Sequence, residues 1–211
     1  MHVRTALFLG SILITTCVLA QQDRSVASSI LVNPGDTVQL QADPAYQIDL
    51  QTCRNCDAAS VRMDTGGEYS EAYFLSSAIV GRTVSFKLVQ NFDWAEPQDK
   101  LSAHKVHSVS LQLIVPEQTK VIIESIDADV LMQGSNLQAS VNLTGSGSIM
   151  STLSYSTLYL DSVRGDIQVT QNFIEVEASS QYGFVTNTVE YSGPNLVRAH
   201  SLSGNITISP N

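Results

Sequence analysis

The chain is short of positive charge, of cysteine and of tryptophan, and each shortage narrows what it can do. Its 211 residues carry 11 Lys and Arg against 20 Asp and Glu, a formal charge of −9. The basic residues are few and scattered, so bulk electrostatics excludes nucleic acid and anionic lipid as partners. No window of a dozen residues shows a helical stripe, and no Gly-rich phosphate loop or nucleotide fingerprint occurs. The Gly-Asp nonapeptide of calcium-binding β-rolls is missing as well. Nothing in the sequence calls for a cofactor or a metal.

The first 20 residues read as a secretory signal peptide. Met1-His2-Val3-Arg4 is a short basic start, Thr5 to Ala20 is apolar and uncharged, and Val18-Leu19-Ala20 offers a small residue for cleavage before Gln21. The expectation is a secreted, periplasmic or cell-surface protein. Loss of Arg4 with the leader would take the charge from −9 to −10. A lipid anchor at Cys17 ranks second, because Thr16 is a poor residue before a lipidated cysteine.

Beyond the leader only Cys53 and Cys56 remain of the 3 cysteines, in Cys53-Arg54-Asn55-Cys56. Such spacing serves a redox motif, half of a zinc site or a local disulfide. A zinc site lacks its second ligand pair. Redox use needs a helix after the first thiol, and Asp57-Ala58-Ala59-Ser60 offers little helix. In an oxidising compartment a disulfide clipping a turn is the expectation, with a thiol-redox protein as an alternative.

Short alternating segments punctuated by Asn33-Pro34-Gly35-Asp36, Asp64-Thr65-Gly66-Gly67 and Ser192-Gly193-Pro194-Asn195 predict strands nearly throughout. Within the last 90 residues or so, a hydroxyl residue, two spacers, a small residue, one spacer and Val or Ile recur five times. The hydroxyl column is Ser125, Thr144, Ser162, Ser180 and Ser201, at intervals of 19, 18, 18 and 21. The small column is Ala128, Gly147, Gly165, Gly183 and Gly204.

A fixed period near twenty residues marks stacked units that bury their apolar faces only against each other. The fold class expected is all-β, a parallel β-helix or β-solenoid with coils of about 18–21 residues. Residues 106–211 form its repeats; residues 21–105 form a β-rich N-terminal part, the first coils plus a polar loop at 91–104. The hydroxyls are expected to line an internal ladder at the corners.

Two and four residues before each hydroxyl the positions are mostly apolar, with Ser140 and Asn142 as exceptions. The sequon at Asn142 therefore points inward, whereas that at Asn205 lies at a corner. Trp94, the sole Trp, sits in the polar loop and is a candidate contact residue. The carboxylates Asp127, Asp129, Asp161, Asp166, Glu175 and Glu177 fall in different columns, so no catalytic pair is forced together. His104 and His107 point to opposite faces of a strand-like stretch.

The strand Val109–Val115 ending in Val115-Pro116, then Lys120-Val121-Ile122-Ile123-Glu124-Ser125, then corners such as Gly165-Asp166-Ile167 and Gly204-Asn205-Ile206, resembles the bacterial putative-adhesin family of β-solenoid domains, a domain of unknown function akin to auto-transporter adhesin heads. Ala128 and Phe184 depart from the pattern. The resemblance implies an exported, non-enzymatic β-solenoid acting in adhesion or as an envelope scaffold. Its partner would be a protein or carbohydrate at the envelope, with self-association through the solenoid ends. The competing expectation is a polysaccharide lyase or hydrolase on the same scaffold.

Overall fold

The computed structural model describes residues 24–66, 70–94, 108–190 and 192–211. The expected leader and the histidines at 104 and 107 lie outside them. All regular structure within the described residues is β. The strands are β1 (Arg24–Leu31), β2 (Thr37–Gln41), β3 (Gln47–Cys53), β4 (Ala58–Gly66), β5 (Tyr73–Val80) and β6 (Thr83–Gln90). Then come β7 (Ser108–Pro116), β8 (Lys120–Ser125), β9 (Asp129–Ser135), β10 (Gln138–Leu143), β11 (Ile149–Ser154) and β12 (Thr157–Ser162). β13 (Ile167–Thr170), β14 (Ile174–Ser180), β15 (Val185–Asn187), β16 (Asn195–Ser201) and β17 (Ile206–Ser209) complete the chain.

They form two mixed sheets, ordered β1-β4-β7-β3-β9-β11-β13-β17-β15 and β14-β16-β12-β10-β8-β2-β6-β5. Successive strands alternate between the sheets from β6 to β17, so each strand pair makes a rung with one strand in either sheet. Period-two alternation explains why. Val121, Ile123 and Ser125 of β8 are buried, while Lys120, Ile122 and Glu124 face out. The inner residues of both sheets meet in one core, where Val38, Val121, Ala139, Leu158 and Val197 stand in one column. Each fully buried aliphatic side chain there contributes about 1.5–3 kcal/mol.

Three features correct the expectation of a purely parallel solenoid. The β1–β4, β4–β7 and β5–β6 pairs are antiparallel. These hairpin-like additions form the N-terminal end of the stack, where Ser28 Oγ of β1 donates to Ser77 Oγ of β5 across the two sheets at 2.9 Å. Second, the rungs do not stack in chain order. The chain passes from β7 to β8 leaving a slot that β2 and β3 fill, and from β13 to β14 leaving a slot that β16 and β17 fill. The last repeat is therefore internal, and the free edge belongs to β14 and β15.

The third correction is one of register. Leu143, not Thr144, stands opposite Ser125 and Ser162. Ala139 and Val141 then occupy the inner columns, and Ser140 and Asn142 turn outward. The 138–154 rung carries one extra residue between Leu143 and Gly147. A shift of one residue exchanges every inner side chain for an outer one, so burial of Ala139, Val141 and Leu143 decides the register.

Candidate binding surface

At the first corner, where the chain crosses from the β14-containing sheet to the other, the serines fix the turn. Ser162 Oγ accepts the Gly165 N–H at 2.9 Å and donates to the Gly147 carbonyl of the rung below at 3.5 Å. Ser201 does the same with Gly204 (2.8 Å) and Gly165 (3.4 Å). Ser180 repeats it with Gly183 (3.0 Å) and Gly204 (2.7 Å). Ser125 Oγ instead donates to Asp43 Oδ1 at 3.3 Å. Thr144 is exposed and Leu143 holds the column position. A Cβ at Gly165 would collide with the Gly147 carbonyl, and one at Gly204 with the Gly165 carbonyl. Ala128 begins the small column, buried, with Gly147 packed directly on its carbonyl.

One step outward, the polar column becomes a ladder between rungs. Asp129 Oδ1 accepts the Ser148 N–H at 2.8 Å and its hydroxyl at 2.7 Å. Asp166 Oδ1 accepts the Asn205 N–H at 2.7 Å, and Asn205 Oδ1 accepts the Phe184 N–H at 3.0 Å. Asp127 Oδ1 likewise takes the N–H and hydroxyl of Ser146 at 2.6 and 3.0 Å. The Ser146 N–H, then its hydroxyl, hold the Asp127 carboxyl below the usual carboxylate range. These aspartates hold corners together.

Of the remaining acidic candidates, Glu177 and Asp161 lie near Arg198 on the outer face of the β14-containing sheet. Glu177 Oε2 accepts from Arg198 Nε at 2.6 Å, and Arg198 also lies 5.7 Å from the Tyr159 ring centre. Asp161 Oδ1 is 3.7 Å from His200 Nδ1. Among the described residues, no group of three or more His, Cys, Asp or Glu is placed to hold a metal.

The second corner carries a pattern that the sequence reading missed. Gln118, Asn136, Tyr155 and Phe173 follow β7, β9, β11 and β13 with φ of 64°, 54°, 51° and 54°. This left-handed conformation costs a non-glycine residue about 1–2 kcal/mol, and it turns their side chains out along one ridge. Tyr155 is 67% exposed and Phe173 55%. Beside the ridge lies a groove of about 360 Å³ lined by Gln118, Asn136, Leu137, Gln138, Tyr155, Thr157 and Asn195. None of these is charged. The spacing of 118, 136, 155 and 173 repeats the coil period, but without glycine the row has no turn signature of its own.

Other candidates fall elsewhere. Cys53 and Cys56 are free thiols, which corrects the expected disulfide. Cys56 Sγ donates to the Cys53 carbonyl at 3.5 Å, and burial followed by the neighbouring Cys53 thiol pushes its pKa up to about 11. A poised redox thiol needs the opposite shift. Trp94 is half-buried beside Phe92, which is 88% exposed. The 95–107 stretch of the polar loop lies outside the described residues. Asn142 is exposed, against the inward placement expected for its sequon, and so is Asn205.

No family model and none of the curated proteins matches the chain. A putative cell adhesion protein from Clostridium sporogenes is similar in structure, at 10% identity with a TM-score of 0.54, over 89% of this chain and 100% of the other. A putative adhesin from Bacteroides fragilis matches at 10% identity and 0.35, over 89% and 97%. A putative lipid binding protein from Parabacteroides distasonis matches at 11% and 0.27, over 89% and 96%. The likeness is one of fold and rests on the first of these.

Proposed function

We propose that the chain is an exported, non-enzymatic β-solenoid that binds an uncharged polysaccharide of the cell envelope or its surroundings, as an adhesin or scaffold. The observation that carries this reading is the row of non-glycine residues at positive φ on the second corner. Backbone strain of this kind persists where the surrounding structure holds it, and it clusters at ligand clamps. Rungs spaced about 4.8 Å apart present the row as a periodic strip suited to a chain-like ligand.

The groove chemistry supports a sugar. Gln118, Asn136, Gln138, Thr157 and Asn195 line the groove together with Tyr155, with no cation among the lining residues. The corner aspartates are occupied by ladder hydrogen bonds, which favours a scaffold over a lyase or hydrolase. The fold likeness to a putative cell adhesion protein agrees with export to the surface. The test is retention of the protein on immobilised neutral envelope polysaccharides. Tyr155→Ala and Gln118→Ala should each weaken binding at least about tenfold, as loss of a stacking or amide contact would. Retention untouched by both, or release of shortened sugars by the wild-type protein, defeats the reading.

A further inference from the structure

The stack has two unlike ends. At the N-terminal end β1 and β5 approach each other and share the Ser28–Ser77 hydrogen bond. At the other end β14 and β15, like β1 and β5, each pair on one side only, with β16 and β17. Their outer edges leave unpaired backbone N–H and C=O groups, which natural sheets cover or charge. Here β14 carries the exposed Glu175 and Glu177, and apolar side chains stand beside them. Tyr182 is 73% exposed, Phe184 81% and Val185 43%, and Val176 and Ala178 are only partly covered.

Phe184 also ends the corner ladder. Asp129, Ser148, Asp166 and Asn205 occupy the same column, and Asp129, Asp166 and Asn205 each accept the N–H of the rung above. Phe184, on the last rung, carries no acceptor. The departure from the repeat thus falls on the rung with nothing above it, although that rung is not last in the sequence. A side chain chosen only for solvent would be polar; an aromatic there fits a surface that becomes buried.

We propose that this end binds a second copy of the chain, forming a two-fold dimer through β14 and β15. A two-fold axis normal to the sheets sets β14 antiparallel to its copy and β15 antiparallel to its copy, so both sheets continue across the junction. The same rotation exchanges the two corners. Tyr182 and Phe184 of each protomer then face the corner of Asn172, Phe173, Thr188, Val189, Glu190 and Pro210, which encloses a cavity of about 370 Å³. Protrusion meets hollow twice, as self-complementarity requires.

Charge permits the contact. β15 has no charged residue; β14 carries the exposed Glu175 and Glu177, and Glu177 is already paired with Arg198. At the N-terminal end the edge strands β1 and β5 terminate sheets of nine and eight strands, so their free edges are not level, which disfavours head-to-tail growth. A seven-residue strand is about 23 Å long and the sheets lie about 10 Å apart. With its corners, the end face buries on the order of 1,000 Å² in total, the lower bound for a specific interface. The dimer is therefore weak and concentration-dependent; it covers Phe173 at one end of the second-corner row and leaves the groove at Tyr155 open.

Sedimentation equilibrium of the chain as exported, over a broad concentration range, tests this. Dimers and nothing larger are expected, with the dissociation constant raised at least about tenfold by Val185→Lys and by Phe184→Asp. Ile79→Lys at the N-terminal end should leave it unchanged. Phe184 is exposed, so Phe184→Asp remains informative should Val185→Lys fail to fold. A monomer at the highest concentrations, assembly beyond the dimer, or a dimer indifferent to both end variants would each overturn the proposal.

Discussion

The side-chain carbonyl of Asn205 accepts the backbone N–H of Phe184 at 3.0 Å, although Asn205 comes 21 residues later in the chain. The later repeat lies beneath the earlier one. The Asp166 contact to Asn205, 39 residues on, shows from below that the intervening repeat is skipped. Together they place residues 195–209 inside the stack and residues 174–187 at its end.

The register at the first corner gives the sharpest mutational contrast. Ser201→Ala removes a fully buried hydroxyl and strands the Gly204 N–H and the Gly165 carbonyl. A loss of about 1–3 kcal/mol is expected in urea unfolding. Thr144→Ala, at an exposed site, should change stability by less than about 0.5 kcal/mol. Equal effects would contradict the one-residue shift.

Close stacking of the corners predicts an opposite contrast between glycines. Gly165→Ala drives a methyl group into the Gly147 carbonyl and should destabilise by about 3 kcal/mol or more. Gly81→Ala meets open space but keeps φ at +61°, so only about 1 kcal/mol is expected. Thermal denaturation of the two variants side by side checks the order.

Acid should loosen the protein through a small set of carboxyls. Asp36, Asp64, Glu117 and Asp127 are all lowered, chiefly by the Asn33 N–H, Arg62, the Ser135 hydroxyl and the Ser146 N–H respectively. A lowered folded pKa contributes stability above the unfolded value, about 4, and that stability is lost as pH falls through the folded one. Urea midpoints should drop below about pH 4. Asp127→Asn combined with Glu117→Gln should flatten that fall.

Alkali should act through Cys56. Its pKa is raised to about 11 from the ordinary 9.0, so the folded state holds a proton that the unfolded chain has released. Stability from this source is whole below pH 9 and declines as pH rises towards 11. The wild-type protein should show that slope and Cys56→Ser should lack it. At pH 8 iodoacetamide should label Cys56 much more slowly in the folded protein than in urea. Rapid labelling would show that burial does not protect the thiol.

Alternation and corner chemistry were legible in the sequence because both are local. Val121 and Ile123 declare an inner face within six residues, and Ser162 with Gly165 declares a corner within four. The shift at Leu143 was hidden because Thr144 and Gly147 imitate the spacing of the true corners; only packing of Ala139 and Val141 against both neighbouring rungs resolves it. The row at Gln118, Asn136, Tyr155 and Phe173 left no signature, since four unrelated side chains share nothing but a backbone angle.

The sequence by itself determined that strands alternate, that coils recur near every nineteen residues, and that serine and glycine close one corner. Only the tertiary structure decided which rung lies on which, and therefore which strands lie at the ends. Every rung offers its neighbours the same row of backbone donors and acceptors, so local pattern cannot choose among them. The choice falls to contacts far apart in the chain. Among them are β2 and β3 seated between earlier and later rungs, β16 and β17 beneath β14 and β15, and a phenylalanine at 184 where the ladder stops.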